Sequence, residues 1–258
     1  MNWYEAIILG IVQGLTEFLP VSSSGHLELG KFIFGIDAES NFYFTLAVHG
    51  ATVLSTIAVL WKDIVNLFRG LFRFTMNEET TYILKIFVSM IPVGIAGFFM
   101  KDIVENFFTG NMTILGIQFL VTALLLVFPY FIRSRERSIS YSDAFIIGIA
   151  QAFAVLPAVS RSGATIATGL MLGNRKEEIA RFSFLMVLIP VVGANFVEAI
   201  SSDIVVDTTG FGVIVMGFIA AFISGYFACK WMITLVKNSK MIWFAIYCAI
   251  IGLVSILL

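Results

Sequence analysis

The 258-residue sequence contains few charged residues and few cysteines, and each scarcity narrows the choice of protein class. Charged residues make up 13% of the chain, about half the share found in an ordinary globular domain. Apolar residues make up 59%, which leaves too little polar surface for a soluble helical protein. The net charge of −1 excludes the basic field of a nucleic-acid-binding protein. Cys229 and Cys248 lack any spacing typical of a metal site.

Long apolar runs make up most of the sequence, and each is long enough to cross a bilayer. They occupy residues 42–61, 80–100, 111–132, 178–200, 211–229 and 242–258. This pattern predicts an all-α polytopic membrane protein, with a single integral membrane domain over residues 1–258. An earlier apolar segment, Trp3 to Leu19, has no Lys or Arg before it and carries a glutamate near its end. We therefore expect it to be retained rather than cleaved as a signal peptide.

A polar motif occurs twice along the chain. Four residues match at an offset of 138 positions, and they are Gln13, Ser22, Ser24 and Gly25 in the first copy and Gln151, Ser160, Ser162 and Gly163 in the second. In each copy a proline stands shortly before the serines. A Phe-x-Phe pattern follows each copy at an offset of 140. The chain is therefore interpreted as a duplication, with repeat one over about 1–132 and repeat two over about 133–258.

Basic residues concentrate in some of the segments between apolar runs and are nearly absent from others. The basic segments are 62–79, 133–140, 173–181 and 230–241. Segment 101–110 contains one lysine, and segment 201–210 contains no basic residue. By the positive-inside rule, the basic segments face the cytoplasm and the other two face outside. The two repeats then have opposite orientations, which predicts an inverted-topology repeat.

Pro20 and Pro157 interrupt the short segments that precede the spans at 42–61 and 178–200. Proline ends a helix because it lacks an N–H and clashes with the preceding turn. Within a membrane, the freed backbone groups must be buried in protein or line a wet cavity. We therefore expect two re-entrant helical hairpins in addition to about six spanning helices. Full crossings in place of the hairpins would satisfy the same charge pattern.

The serines that follow each proline have two interpretations. They can cap the returning helices, or they can bind an anion at the helix N-termini. The serines concerned are Ser22, Ser24, Ser160 and Ser162.

Glu17 and Arg161 favour a functional interpretation, because a charged side chain within a membrane is costly and usually serves a function. Gln13 lies four residues before Glu17 and therefore on the same helix face. Arg161, between two serines at a helix N-terminus, is typical of an oxyanion or phosphate site. The alternative is that Arg161 serves only as an ion-pair partner of Glu17.

Two histidines complete the set of candidates. His26 directly follows Gly25 and can exchange protons or attack phosphorus, although a lone histidine is more often structural. His49 lies in the 42–61 span, where it either faces the same cavity or forms a hydrogen bond that packs two helices together.

The two motifs resemble the signatures of the undecaprenyl pyrophosphate phosphatase family, which is also known for bacitracin resistance. The first appears as Gln13-Gly-Leu-Thr-Glu17-Phe-Leu-Pro-Val-Ser-Ser-Ser-Gly-His26, and the second as Pro157-Ala158-Val-Ser160-Arg161-Ser162-Gly163-Ala-Thr165. The resemblance extends nearly from end to end of the chain. Two positions depart from the pattern: Ala158 replaces a glycine, and Gln13 is the neutral option at a Glu/Gln position.

This resemblance implies hydrolysis of undecaprenyl diphosphate to undecaprenyl phosphate and inorganic phosphate, which recycles the lipid carrier of peptidoglycan synthesis. It implies a divalent cation, Mg²⁺ or Ca²⁺, and a polyprenyl diphosphate lipid as the partner. It also implies a location in the bacterial plasma (inner) membrane, with the active site facing the outer, periplasmic side. Homo-oligomerisation stays open.

The resemblance also assigns roles to residues. The catalytic group is Glu17, Ser23, His26 and Arg161, and the substrate-binding group is Ser22, Ser24, Ser160, Ser162, Gly163 and Thr165. Glu17, helped by Gln13, would hold the cation. His26 would act as nucleophile or general base, and Ser23 is the rival nucleophile. The residues do not decide between a phosphohistidine, a phosphoserine and direct attack by water.

Two other functions fit parts of the pattern. Inverted repeats with broken helices are typical of secondary transporters, so a transporter or a polyprenyl-phosphate flippase is the main alternative. A structural membrane scaffold has no use for the charges of Glu17 and Arg161. Phosphate release in detergent, where no two compartments exist, distinguishes an enzyme from a transporter.

Overall fold

The computed structural model describes residues 1–36, 41–99, 111–132, 136–156, 159–201, 209–238 and 241–258. The described residues form helices and no strand. The helices are α1 Trp3–Phe18, α2 Ser23–Phe34, α3 Phe42–Val59, α4 Trp61–Leu71, α5 Glu78–Phe99, α6 Met112–Phe131, α7 Tyr141–Phe153, α8 Arg161–Met171, α9 Lys176–Ser201, α10 Phe211–Lys237 and α11 Met241–Leu257. Pro157, Ala158 and most of the two predicted outer segments lie outside the described residues.

The prediction of a polytopic membrane protein is confirmed. Among the described residues, the helices α3, α5, α6 and α10 are long and apolar enough to cross a membrane. Helix α11 is also apolar but has only 17 residues. Many large apolar side chains are exposed on the outer faces of these helices, for example Phe87 at 58% and Trp243 at 66%. Such faces are stable only against lipid or another apolar partner.

The segment 62–79 was predicted only as a basic loop, and the structure corrects this, because all of α4 except its first residue, Trp61, lies in this segment. The apolar residues of α4 recur with helical spacing and the charged residues lie between them, which is typical of a helix in the membrane interface. The charge count alone did not reveal this spacing. Asp63 of α4 accepts a hydrogen bond from Arg181 of α9 at 2.9 Å, which links the two helices.

Glycine sets how closely the first helix of each predicted hairpin approaches its neighbour. A Cβ on Gly10 of α1 would collide with the carbonyl oxygen of Gly217 in α10. A Cβ on Gly148 of α7 would collide with the carbonyl oxygen of Ser89 in α5. Gly10 and Gly148 are separated by the same 138 positions as the two polar motifs. Small residues therefore hold α1 and α7 against their supporting helices.

The break predicted at Pro20 is confirmed, because α1 ends at Phe18 and α2 begins at Ser23. Ser22 caps α2, with its Oγ accepting a hydrogen bond from the Gly25 backbone N–H at 3.2 Å. Ser22 has a φ of 69°, a value that residues other than glycine rarely adopt. The break therefore holds Ser22 in a strained conformation, which is common at functional sites.

A second interruption separates α7 from α8. Ser160 caps α8, with its Oγ accepting a hydrogen bond from the Gly163 backbone N–H at 3.0 Å. The backbone N–H of Ser160 donates to Thr122 Oγ1 of α6 at 3.1 Å. The capping interpretation is thus confirmed for Ser160 and for Ser22, the equivalent serine before α2.

A polar cluster surrounds Asp143 in the first turn of α7. One carboxylate oxygen accepts a hydrogen bond from Arg137 Nη2 at 2.7 Å. The other accepts from the Ser140 backbone N–H at 2.9 Å and from Asn174 Nδ2 at 3.1 Å. Burial alone would raise the pKa of the Asp143 carboxyl, but the hydrogen bonds from Ser140 and Asn174 and the charge of Arg137 outweigh it. The pKa therefore lies below its ordinary value of 3.8.

We expect Asp143→Asn to lower the free energy of unfolding by about 2 kcal/mol near neutral pH, because the amide has no charge and only one acceptor oxygen. The pKa of Asp143 is lower in the folded protein than in the unfolded chain. Its stabilising contribution is therefore present above about pH 4 and is lost as the pH falls through the folded pKa. Thermal unfolding of both proteins in detergent at neutral and acidic pH measures this difference.

Glu177→Gln is the matched control for this variant. Glu177 is half exposed and pairs with Arg181 and Lys237, so its loss should change the free energy of unfolding by less than about 1 kcal/mol. A deficit in Asp143→Asn that persists unchanged at acidic pH would show that the carboxylate charge is not its cause.

Candidate active site

Glu17, in the last turn of α1, is the centre of a polar cluster at the first break. One of its carboxylate oxygens accepts hydrogen bonds from Gln13 Nε2 at 2.9 Å and from Ser23 Oγ at 2.6 Å. The other accepts from Arg161 Nη2 at 3.0 Å. The structure therefore brings together four of the residues predicted from the two motifs, and it places Gln13 and Glu17 on one helix face as expected.

Arg161 begins α8, and its guanidinium reaches across to α1. The ion pair with Glu17, considered as an alternative from the sequence, is present in the structure. Its two side chains differ in exposure, which is 30% for Arg161 and 11% for Glu17. Because Arg161 also borders a cavity, its guanidinium can contact an anion there. The ion pair and an anion-binding role are therefore compatible.

Further contacts join the two breaks. Ser162 Oγ donates a hydrogen bond to the carbonyl oxygen of Leu19 at 3.3 Å. Gly163 faces Pro20, and a Cβ on Gly163 would stand 3.4 Å from the proline Cβ. Residues far apart in the sequence are thus assembled into one site by direct contact of the two interruptions.

A cavity of about 710 Å³ lies against this cluster. Its polar wall contains Glu17, Ser22, Ser23, Ser24, Ser160, Arg161 and Ser162. Helices α5 and α9 form an apolar wall, with Met90, Val93, Ile189, Pro190 and Val191. The volume is within the range of about 300–1,000 Å³ that small-molecule sites occupy. A cavity with one ionic wall and one apolar wall suits an amphiphilic ligand.

The ring of His26 is held by Ser22 and Tyr247. Its Nδ1 donates a hydrogen bond to the carbonyl oxygen of Ser22 at 2.7 Å, since a carbonyl can only accept. Its Nε2 then accepts from the Tyr247 hydroxyl at 2.8 Å, and the two rings stack with centroids 5.6 Å apart. His26 is absent from the lining of the described cavity, whereas His49 is part of it. Both ring nitrogens of His26 are engaged in this conformation, and its predicted role as nucleophile or base stays a prediction.

Thr165 and Gly163 lie behind the cavity wall. Thr165 Oγ1 donates a hydrogen bond to the carbonyl oxygen of Arg161 at 2.8 Å and is 2.6 Å from Ser183 Oγ. Neither Thr165 nor Gly163 lines the cavity. Their contacts position the first turn of α8, and through it Arg161.

Sequence interpretation missed Lys31 as a residue of this site. Lys31 is 7% exposed, forms an ion pair with Glu28 at 3.4 Å, and borders the cavity together with it. The spacing of three residues between two charges on an apolar helix was the available signal. Gln151 was noted only as part of the repeat, yet it also borders the cavity.

Oxygen donors for a divalent cation are few at this site. Among the described residues, no group of three or more His, Cys, Asp or Glu side chains could hold a metal ion. Glu17 offers a carboxylate, and Gln13 Oε1 is buried without a hydrogen-bond partner. Mg²⁺ is often held by one or two carboxylates together with substrate phosphates. The donor set fits a cation that binds together with a diphosphate.

Comparisons with known proteins give a consistent result. The sequence profile described as "Bacitracin resistance protein BacA" matches residues 6–254. The undecaprenyl-diphosphatase of Parabacteroides distasonis is 56% identical, over 99% of this chain and 98% of that protein. The undecaprenyl-diphosphatase of Bacteroides fragilis is 55% identical over the same shares. A protein of the same name from Methanosphaera stadtmanae is 38% identical, over 98% of this chain and 97% of its own.

Proposed function

The chain belongs to the bacitracin resistance protein BacA family, and we propose that it hydrolyses undecaprenyl diphosphate to undecaprenyl phosphate and inorganic phosphate. The observation that carries the proposal is the contact of Ser23, Glu17 and Arg161 on the wall of an amphiphilic cavity. A diphosphate head group requires cations and hydrogen-bond donors, and a polyprenyl chain requires an apolar surface. Both are present in one cavity.

The fold is an inverted-topology repeat in which α1–α2 and α7–α8 are re-entrant hairpins. Packing supports this arrangement, because α1 contacts α10 in the way that α7 contacts α5. Helices α6 and α11 cross at two glycines, where a Cβ on Gly116 would stand 2.5 Å from the Gly252 carbonyl oxygen and a Cβ on Gly252 2.8 Å from that of Gly116. Such reciprocal contacts are expected at a pseudo-two-fold axis.

The protein resides in the bacterial plasma membrane with the cavity open to the outer side. The cavity residues of three helices support this orientation. They are Thr45 and His49 of α3, Met90, Val93, Gly94 and Gly97 of α5, and Ile189, Pro190, Val191 and Gly193 of α9. All lie in the helix halves distant from the basic segments, which face the cytoplasm by the positive-inside rule. A cavity at this depth admits a lipid head group from the outer leaflet.

Ser23 is the group that attacks the terminal phosphorus. Its hydroxyl already donates to Glu17 at 2.6 Å, so the carboxylate is placed to accept the proton as the O–P bond forms. The anhydride P–O bond breaks, and undecaprenyl phosphate leaves. Arg161 stabilises the negative charge on the phosphoryl oxygens in a cavity of low dielectric.

Water completes the reaction by attacking the phosphoserine. Its oxygen and one hydrogen join the phosphate, and its other hydrogen leaves as a proton. As the bond between phosphorus and Ser23 breaks, Glu17 returns its proton to the serine oxygen. The products are inorganic phosphate and the free enzyme.

Glu17, with Gln13 Oε1, would hold a divalent cation at this site. Such an ion would neutralise phosphate charge and lower the barrier to displacement. We expect Glu17→Gln to raise the Mg²⁺ concentration that half-saturates the residual activity by at least about tenfold. A titration of phosphate release against Mg²⁺ measures this, and an unchanged midpoint would place the ion elsewhere.

The test of the proposed function is phosphate release by the purified protein in detergent micelles. We expect repeated turnover of undecaprenyl diphosphate, measured as inorganic phosphate and as undecaprenyl phosphate by chromatography. Lipid movement in vesicles without phosphate release in micelles would instead support a flippase.

A further inference from the structure

Gln151, in the last turn of α7, is a buried amide with unmet hydrogen-bonding capacity. Its side chain is 1% exposed, and neither Nε2 nor Oε1 has a hydrogen-bond partner among the described residues. Burying an amide in this state is unfavourable. The residue borders the 710 Å³ cavity, so a ligand in the cavity can supply the missing hydrogen bonds.

A second glutamine in the chain shows what such an amide does when it has an internal partner. Gln13 occupies the equivalent position in the first motif, 138 residues earlier, and its Nε2 donates to Glu17 four residues later. In the second motif, the position of Glu17 is taken by Val155, which cannot accept a hydrogen bond. The donor of Gln151 is therefore left for a group from outside the chain.

The surroundings of Gln151 indicate the chemistry of that group. Ala154, Val155 and Leu156 carry the cavity wall from Gln151 toward Arg161, and Met90 and Val93 of α5 also border the cavity. The cavity wall thus carries the guanidinium of Arg161 and serine hydroxyls in one part, and apolar side chains near the amide of Gln151. A ligand that fills both parts is an anion attached to a hydrocarbon chain.

We propose that Gln151 is a substrate-binding residue whose Nε2 donates a hydrogen bond to a phosphate oxygen of the lipid diphosphate. This inference rests on the proposed function and adds a contact to it. The amide contributes a donor without adding charge, and its Oε1 accepts from a protonated phosphate oxygen. Arg161 supplies the positive charge for the head group, while Gln151 holds the part of it that leads to the prenyl chain.

Two substitutions test the sign of charge that the ligand carries. Gln151→Leu removes the donor with little change in volume and should raise KM for undecaprenyl diphosphate about tenfold. Gln151→Glu places a carboxylate against a phosphate and should raise KM further, to about a hundredfold. In both variants kcat should change less than KM, and the inhibition constant for the product undecaprenyl phosphate should rise in parallel.

Gln118→Leu is the matched control. Gln118 is a buried amide on α6, 8% exposed, and it does not line the cavity, so its replacement should leave KM unchanged. If Gln151→Leu does not fold, Gln151→Met provides the same comparison with a flexible apolar side chain. Thermal unfolding in detergent reports folding for every variant.

Three outcomes would overturn the inference. They are an unchanged KM in Gln151→Leu, a KM in Gln151→Glu at or below that of the leucine variant, and equal effects in Gln118→Leu. The second outcome would show that the group facing Gln151 is not an anion. Failure of the wild-type protein to release phosphate would refute the proposed function itself. The three outcomes above concern only the role of Gln151, so the two kinds of failure can be told apart.

Discussion

Arg161→Ala is expected to lower the rate of phosphate release from undecaprenyl diphosphate by at least about 10³-fold, the order of loss found when an arginine that stabilises a transferring phosphoryl group is removed. Arg161 is the cation that contacts Glu17 and also borders the cavity. Its loss removes the positive charge that the phosphoryl oxygens need as the anhydride bond breaks. Initial rates at saturating substrate and Mg²⁺ measure the effect.

Two further proteins separate charge from packing in this experiment. Arg161→Lys keeps the charge but loses the planar fork that binds two oxygens together, so its activity should lie between wild type and the alanine variant. Arg181→Ala removes an arginine from an ion pair with Asp63 away from the cavity lining, and should retain activity. Near-normal turnover in Arg161→Ala would exclude this residue as the phosphate clamp.

Arg161→Ala also leaves a carboxylate largely buried without its partner, which can destabilise the protein by about 3–5 kcal/mol. Thermal unfolding and gel filtration in detergent must therefore accompany the kinetics. The double variant Glu17→Gln/Arg161→Ala removes both charges and should recover stability without recovering activity. Recovery of both would mean that Arg161 only balances the charge of Glu17.

Ser23→Ala is expected to lower phosphate release by at least about 10³-fold, because removal of a nucleophile leaves only the contribution of binding and electrostatics. The hydroxyl of Ser23 is the one that donates to Glu17 at 2.6 Å. Ser255→Ala is the matched control, since Ser255 is a buried serine whose hydroxyl, among the described residues, donates to the backbone of its own helix, at Ile251. Its activity should equal that of wild type.

Trapping the intermediate distinguishes the nucleophiles. With substrate labelled in the terminal phosphate and rapid acid quenching, the wild-type protein should carry acid-stable label on Ser23, and Ser23→Ala should carry none. Label on His26 that survives an alkaline quench and is lost in acid would instead support a phosphohistidine. Attack by Nε2 would require it to lose the hydrogen bond from the Tyr247 hydroxyl, while Nδ1 could keep its bond to the Ser22 carbonyl. Wild-type turnover without label on either residue, and with activity retained in Ser23→Ala, would favour direct attack by water.

Much of the site followed from the sequence because its geometry is local. Gln13 and Glu17 lie four apart on one helix, and Ser22 and Ser160 follow helix-ending segments at positions where a hydroxyl caps the next helix. These relations depend only on helical periodicity and on the chemistry of N-termini. The approach of the two breaks was also predictable in outline, because Glu17 and Arg161 carry opposite charges and an unpaired charge within a membrane is costly.

Orientation of individual side chains did not follow from the sequence. His26 belongs to the same motif as Ser23, yet its ring packs between Tyr247 and Phe119 from helices far along the chain. Only tertiary packing determines which way that ring turns. Lys31 and Gln151 were missed as cavity residues for a related reason. Each borders the cavity because of how several helices pack together, and the spacing of neighbouring residues in the sequence does not reveal that packing.

The pairing of Glu17 with Arg161 has a consequence for how the two halves of the chain depend on each other. At the positions where the first half carries Glu17 and Ser23, the second half carries Val155 and Arg161. The first half therefore supplies the acid of the ion pair and the second half supplies the cation. A chain cut between its halves should stay inert until both pieces reassemble.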